Sequence, residues 1–507
     1  MVDPERIKKE HLSSAHQETL ESGRGAIRLL DELAKLEETA RRLEPDQEQR
    51  AALNRGVEAY ANQFLNALPG LKTYVADDPS TAPQPPPIAD DPVGLETALA
   101  YLESAVDRTG INPASGGHIG YIPGGGVYTA ALGDYLADVF NRYAGILFAG
   151  PGAVRLEKSL LRWMGSLIGF PDGAAGDLTS GGSMANLTGI VAGREAHEVR
   201  AVDIPRTVVY LSEHAHHSVE KALRVAGLGE CVLRFLELDE RYRIKPDALA
   251  EAIAADRAGA LIPWLVVASA GTTDVGAVDP LDALADICRQ HRLWLHIDAA
   301  YGGFFVLCDA AKDLLGGMSR ADSVVMDPHK GLFLPYGSGA VLVRDQAAMH
   351  KAFSYQAHYM QDAVQDVATM SPADLSPELS RPFRGLRMWL PLMVHGLAPF
   401  RAALDEKLLL AKYFHQEIQK VAGFAAGPEP QLSVATYRYV PKSGDADRFN
   451  QQLVDELQKD GRVFISSTRI NGRFVLRAAI LNFRTHRDTV DLTIEILADA
   501  AMRLAKT

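Results

Sequence analysis

Residues 326–330 of this 507-residue chain read Met-Asp-Pro-His-Lys and close a strand-like run that begins at Asp322. A lysine that ends a buried strand, beside a histidine and a proline, is poorly placed for a solvated role. It is well placed to form a Schiff base with an aldehyde cofactor. Taken alone, Lys330 reads as an ordinary surface lysine, since lysine is rarely buried. A second apolar run, Leu293-Trp-Leu-His-Ile, ends in Asp298-Ala-Ala-Tyr. A carboxylate there can sit under a pyridine nitrogen and keep it protonated.

A third element adds an anion site. Leu178-Thr-Ser-Gly-Gly-Ser-Met-Ala-Asn places small residues just before an apolar helix through Ile190 and Val191. Glycines let the backbone approach an anion, and the free N–H groups of a first helical turn point at it. Ser183 adds a hydroxyl. No Gly-Lys-Ser/Thr follows, so this is not a Walker loop. No acidic residue follows a second strand at the expected distance, so it is not a dinucleotide fingerprint. Amine, carboxylate and phosphate cup together point to pyridoxal 5'-phosphate (PLP). His214, His216 and His217 could offer two zinc ligands, but no carboxylate or cysteine stands at matching spacing, so no metal is expected.

These residues need elements to hold them. Strands are expected at 207–211, 231–235, 261–267, 293–297, 323–326 and 340–343, with helices at 184–200, 218–227, 246–256 and 280–291 between them. Apolar strands alternating with helices imply a mostly parallel sheet covered on both faces. The chemistry-bearing residues fall at strand ends, where open α/β sheets bind ligands. Residues 13–66 carry helical periodicity, the proline-rich stretch 77–87 must be an extended connector, and a helix follows at 95–106. The apolar stripe of these first helices needs another surface, on a partner subunit or on its own chain. The expected organisation is an N-terminal helical arm and linker (1–115), a large cofactor-binding domain (116–395) and a small C-terminal α+β domain (396–507).

Net charge is −12, which argues against nucleic acid or an anionic membrane as partner. The three cysteines, Cys231, Cys288 and Cys308, are odd in number and form no C-x-x-C, which fits a reducing compartment. The first ten residues hold no apolar signal core, and the longest apolar stretch, near 260–270, is too short to span a bilayer. A cytoplasmic location and a small-molecule partner are expected.

Five segments carry a family resemblance. His296-Ile-Asp-Ala-Ala-Tyr301 matches H-V-D-A-A-Y, Asp327-Pro-His-Lys330 matches N/D-P-H-K, and Ala215–Ala222 matches A-H-S-S-V-E-K/R-A. Gly271-Thr-Thr273 and the closing strand Gly472–Arg477 complete the set. The chain resembles the group II PLP-dependent amino-acid decarboxylases, aromatic L-amino-acid decarboxylases among them. That implies the aspartate aminotransferase-like fold type I: a mostly parallel seven-stranded sheet, a small C-terminal domain and an N-terminal arm. It implies a homodimer with the active site at the subunit boundary. It also implies roles. Lys330 would hold PLP, Asp298 would bond the pyridinium nitrogen, His216 would stack on the ring, and Ala300 would pack on its other face. Gly182, Ser183 and His329 would hold the phosphate with Asp327, where many relatives have asparagine. Thr273 would sit near the cofactor's hydroxyl.

The resemblance extends to reaction type. Lys351–Met360 aligns without a gap to the family's mobile catalytic loop, with Tyr359 on its tyrosine, and Gln361–Ala373 is weakly patterned, as a lid should be. A phenol there can protonate the carbon that loses carbon dioxide. Relatives with phenylalanine for this tyrosine, or asparagine for the stacking histidine, tend to make aldehydes. This chain keeps both, so an amino-acid decarboxylase is expected, with an aldehyde synthase or a carbon–carbon lyase as alternatives. Tyr121, Ile122 and Pro123 occupy the substrate-side segment as apolar wall, with no arginine to pair a side-chain carboxylate, which implies an aromatic substrate. Gly145 stands where relatives carry a bulky aromatic from the partner subunit. Ser380 matches a position where serine accompanies phenolic substrates. Arg381 is either a partner for the substrate α-carboxylate or half of a structural ion pair.

Overall fold

The computed structural model describes residues 26–354 and 370–506. The chain divides into two compact units, one of residues up to Pro69 with Thr81–Asp107, the other of Gly70–Ser80 with Arg108–Thr507. In the first, helix Gln47–Ala67 opens on a reciprocal cap: Asp46 accepts from Gln49 N, and the Gln49 side chain accepts from Asp46 N, at 2.8 Å each. The Tyr60 hydroxyl of that helix donates to Asp107 at 2.7 Å, just past helix Leu95–Ala105. Residues 70–80 belong to the second unit because Tyr74-Val75 pairs antiparallel with Gly110-Ile111.

The second unit is built on a seven-stranded sheet: β1 (Ala175–Thr179), β2 (Thr207–Leu211), β3 (Val232–Phe235), β4 (Ile262–Ser269), β5 (Trp294–Asp298), β6 (Ser323–Met326) and β7 (Gly339–Val343). Their order is β1-β7-β6-β5-β4-β2-β3. Strands β2 to β6 pair in parallel, and β7 runs antiparallel to both its neighbours. This is fold type I, as the family resemblance implies, and the mostly parallel sheet is the one expected from the strand–helix alternation. Strand residues divide by period two. Tyr210, Val266, Leu295 and Ile297 pack with helices Pro151–Leu167, Pro246–Ala258 and Leu281–His291, while Val209, Leu265, Val267 and Val325 pack with Gly182–Ala196 and Ser218–Val225. Both faces are dry, which is why the strands read as unbroken apolar runs. Strand β1 escapes the sequence pattern because Gly176 and Asp177 interrupt it.

Further along, an antiparallel sheet in the order Phe424–Ala426, Val434–Tyr439, Arg473–Ala479, Ser466–Ile470 is backed by helices Ala398–Ile418, Ala446–Asp460 and Arg487–Leu504. Its core gathers around Phe414, Tyr437, Leu457 and Leu497. Its edge strands, Phe424–Ala426 and Ser466–Ile470, are short or polar. Among the described residues no helix is long and apolar enough to cross a membrane.

Candidate active site

The carboxyl ends of the strands converge on one cavity of about 370 Å³. Ser180–Ser183 follow β1, His216 and Ser218 follow β2, Ser269 ends β4, Asp298 ends β5, and Asp327–Lys330 follow β6. Helix Gly182–Ala196 begins there without a side-chain cap; Met184 N–H and Ala185 N–H donate to the Gly181 carbonyl at 3.1 Å, which leaves the N–H groups of Gly182 and Ser183 to face an anion. Glycine is needed at this approach: a Cβ on Gly182 would come within 2.9 Å of Asp327 Oδ2 and 3.3 Å of the Ala300 Cβ.

Lys330 lies in the short turn Pro328–Gly331, its Nζ 3.1 Å from Asp327 Oδ2. Asp327 Oδ1 is buried without a partner. His329 Nδ1 is 2.6 Å from the Ser338 carbonyl, so Nδ1 carries the proton, and burial holds the ring below the usual imidazole range. Asp298 accepts from Ala300 N at 3.1 Å and from Asn186 Nδ2 at 3.0 Å. His216 Nδ1 accepts from Ser218 N at 3.2 Å and lies 2.7 Å from Ser218 Oγ, and burial also lowers this imidazole. An amine paired to a carboxylate, a second carboxylate held by N–H donors, a flat neutral imidazole and an open helix N-terminus thus share one pocket.

Residues 114–440 match the family described as the pyridoxal-dependent decarboxylase conserved domain. The chain is 37% identical over 372 residues to the aromatic-L-amino-acid decarboxylase of Bacillus atrophaeus, covering 72% of this chain and 77% of that one. It belongs to the pyridoxal-dependent decarboxylase family. The decarboxylase is also 28% identical over 405 residues to phenylacetaldehyde synthase of Arabidopsis thaliana, covering 77% and 83% of the two chains. The crystal structure of Oryza sativa TDC with PLP and tryptamine has a TM-score of 0.83 to it at 24% identity, over 91% of this chain and 99% of that one, a likeness of fold. The reaction class is amino-acid decarboxylation, and the cofactor is PLP.

PLP suits this cavity on the chemistry of its donors: an amine for the aldehyde, a carboxylate for the ring nitrogen, and glycine N–H groups for the phosphate. Gly182, Ser183, His216, Thr273, Asp298, Ala300, Asp327, His329 and Lys330 all line it. Asp327 is paired with Lys330 rather than standing alone beside an anion. Tyr121, Ile122, Pro123, Ser380 and Arg381 do not line it. Arg381 departs most from a substrate role. Its guanidinium is buried, donating to Glu157 at 3.1 Å, to the Leu178 carbonyl at 2.9 Å and to Asp177, so its donors are held in an ion pair. Desolvation pushes Glu157 there up to about 7. Ile122 joins the core, while Tyr121 is exposed on left-handed backbone (φ 51°), its N–H donating to Ser466 Oγ at 3.2 Å. That segment still abuts the site, for a Cβ on Gly124 would lie 2.1 Å from the His329 carbonyl oxygen. Gly145 has no room for a side chain, with the Leu379 carbonyl oxygen 2.4 Å from its Cβ position. Ser380 is exposed. Tyr359 lies outside the described residues.

Sequence reasoning misses Asn186 and Ser218, which line the cavity, and the part played by His296 behind it. The available signal was an asparagine among the small and apolar residues that open helix Gly182–Ala196; the fold buries it to 1% exposure.

His118, three residues before Tyr121, is 2% exposed, edge-on to the Tyr121 and Phe464 rings, with Nδ1 unpartnered. Burial lowers it from about 6.5 to about 4. The folded chain keeps it neutral where the unfolded chain takes a proton, so its contribution is full above pH 6.5 and lost as pH falls toward 4. The loss is worth about 3 kcal/mol at most. Replacing His118→Phe should therefore raise stability relative to the parent as pH drops from 7 to 4.5. Paired melting scans check this, and parallel pH profiles would exclude the titration.

Proposed function

We propose that the protein decarboxylates an aromatic L-amino acid, of the phenylalanine, tyrosine, tryptophan or DOPA type, to its amine and carbon dioxide. The observation that carries this is the convergence of Lys330, Asp298 and the glycine cup on one cavity, in a chain similar to an aromatic-L-amino-acid decarboxylase. When bound, PLP supplies an electron sink for the bond to the departing carboxylate. The residues of the chain do the rest. Lys330 holds the cofactor through its amine, with Asp327 as that amine's counter-charge. Asp298 keeps the ring nitrogen protonated. His216 presents a neutral face to one side of the ring, and Ala300 leaves the other side room. Gly182, Ser183 and His329 retain the phosphate, and Thr273 stands by the ring hydroxyl. Tyr359 returns a proton to the carbon that has lost carbon dioxide. We assign the segment of Tyr121, Ile122 and Pro123, which abuts the cavity at Gly124 without lining it, to the wall of the substrate's aromatic group, and Ser380, outside the cavity of the single chain, to a preference for a phenol.

Similarity to phenylacetaldehyde synthase supports one alternative, oxidative formation of an aldehyde. An amino-acid panel assayed for carbon dioxide, amine, aldehyde and peroxide separates the two. We expect one amine per carbon dioxide from an aromatic substrate. In Tyr359→Phe, carbon dioxide should still form, but dioxygen should intercept the unprotonated carbon and give aldehyde, ammonia and peroxide. Preference for glutamate, or peroxide matching carbon dioxide in the parent enzyme, would overturn the corresponding part of the reading.

The same reading makes the enzyme a homodimer. Support comes from apolar side chains left exposed along the N-terminal helix (Ile27, Leu30, Leu33, Leu36) and along helix Tyr128–Phe140 (Leu132, Tyr135, Val139). Light scattering of the full chain should give twice the chain mass. A fully active monomer would remove the proposal.

A further inference from the structure

A run of buried hydrogen bonds reaches Asp298 from behind, and its far end dictates its direction. Trp294 Nε1–H can only donate, and it donates to Ser323 Oγ at 2.8 Å. The proton of that hydroxyl is then directed to His296 Nδ1, 2.7 Å away. With Nδ1 an acceptor, the ring proton resides on Nε2, which donates to Asn186 Oδ1 at 2.8 Å. The Asn186 amide is thereby oriented with its NH₂ toward Asp298 Oδ2 (3.0 Å) and Ser218 Oγ (2.9 Å). Ser218, having accepted, passes its own proton to His216 Nδ1 at 2.7 Å. Asn186, Ser218, His296, Ser323 and Trp294 are each no more than 4% exposed. Burial lowers His296 to about 4, so the ring stays neutral and its tautomer holds. In so dry a place a fully satisfied network is rigid.

We propose that Asn186 is a positioning residue for this reaction: with one amide it orients Asp298 and, through Ser218, the ring of His216, in a direction set by Trp294, Ser323 and His296. The inference rests on the roles proposed above for Asp298 and His216, and it adds that the two are set by a common third residue rather than separately. Asn186 touches no reacting atom; its effect runs through its neighbours.

Full-length holoenzyme carrying Asn186→Ala, Asp298→Asn, or both, tests this through kcat, KM, the PLP dissociation constant and the melting temperature of the PLP-free protein. Losing a hydrogen bond to a charged group predicts that Asn186→Ala weakens PLP binding about tenfold or more and lowers kcat similarly, with KM little changed. In the Asp298→Asn background the same change should cost distinctly less than in the parent, since the charged target is gone and only the arm through Ser218 to His216 remains. Full additivity, or normal PLP affinity in Asn186→Ala, overturns the proposal while leaving the roles of Asp298 and His216 intact. Normal turnover in Asp298→Asn overturns the role of Asp298 and this proposal with it. Asn186→Asp keeps the shape if the alanine variant fails to fold. Two carboxylates at hydrogen-bond distance cannot both ionise. Its PLP affinity and the bound cofactor's absorbance should therefore become steeply pH-dependent, weaker at pH 8 than at pH 6. A pH-independent loss would mark Asn186 as merely structural and sink the inference.

Discussion

Lys330→Ala should lower turnover by a factor on the order of 10³ or more and end covalent retention of PLP. Among the described residues that line the cavity, Lys330 brings the one amine. Its loss has a second consequence. Asp327 is 1% exposed, its Oδ1 already lacks a partner, and Oδ2 would lose the ammonium 3.1 Å away. An uncompensated buried carboxylate should then repel the phosphate, so reversible PLP affinity should fall too. Adding Asp327→Asn should recover part of that affinity without recovering turnover. Borohydride treatment of the parent enzyme, followed by peptide mass mapping, should place the adduct on Lys330. An adduct on another lysine removes the assignment.

Asp298→Asn should retain PLP in part, because Lys330 and the cup are untouched, yet cut kcat by roughly 10² to 10³. That is the usual cost of removing one preorganised electrostatic partner. The substitution preserves volume but not charge. Its amide must also meet two donors, Ala300 N and Asn186 Nδ2, with one oxygen. One N–H is then left facing another, which should lower the melting temperature as well, by an amount worth about 1–3 kcal/mol. Turnover near that of the parent would contradict the role. An unchanged melting temperature with lost turnover would show that the charge alone matters.

Much of the site is legible in the sequence because its parts are local. Strands buried on both faces read as apolar runs, and a polar residue that ends such a run stands out, as Asp298 and Lys330 do. The cup was legible from small residues before a helix. Strand β1 was not, since Gly176 and Asp177 break the apolar pattern, and Asp177 is tolerated only because Arg381, 204 residues away, pairs with it. That ion pair is one of the two roles that the sequence context of Arg381 allowed.

The sequence by itself determined the fold class, the cofactor and which strand ends bear chemistry, since periodicity and short-range motifs are properties of neighbouring residues. Only the tertiary structure decided the partners. Asn186 and Asp298 are 112 residues apart, His296 and Asn186 110. A buried polar group must find its partner across such distances. Which partner it finds depends on how the sheet stacks its strands and helices, and the residues flanking either end carry no trace of that.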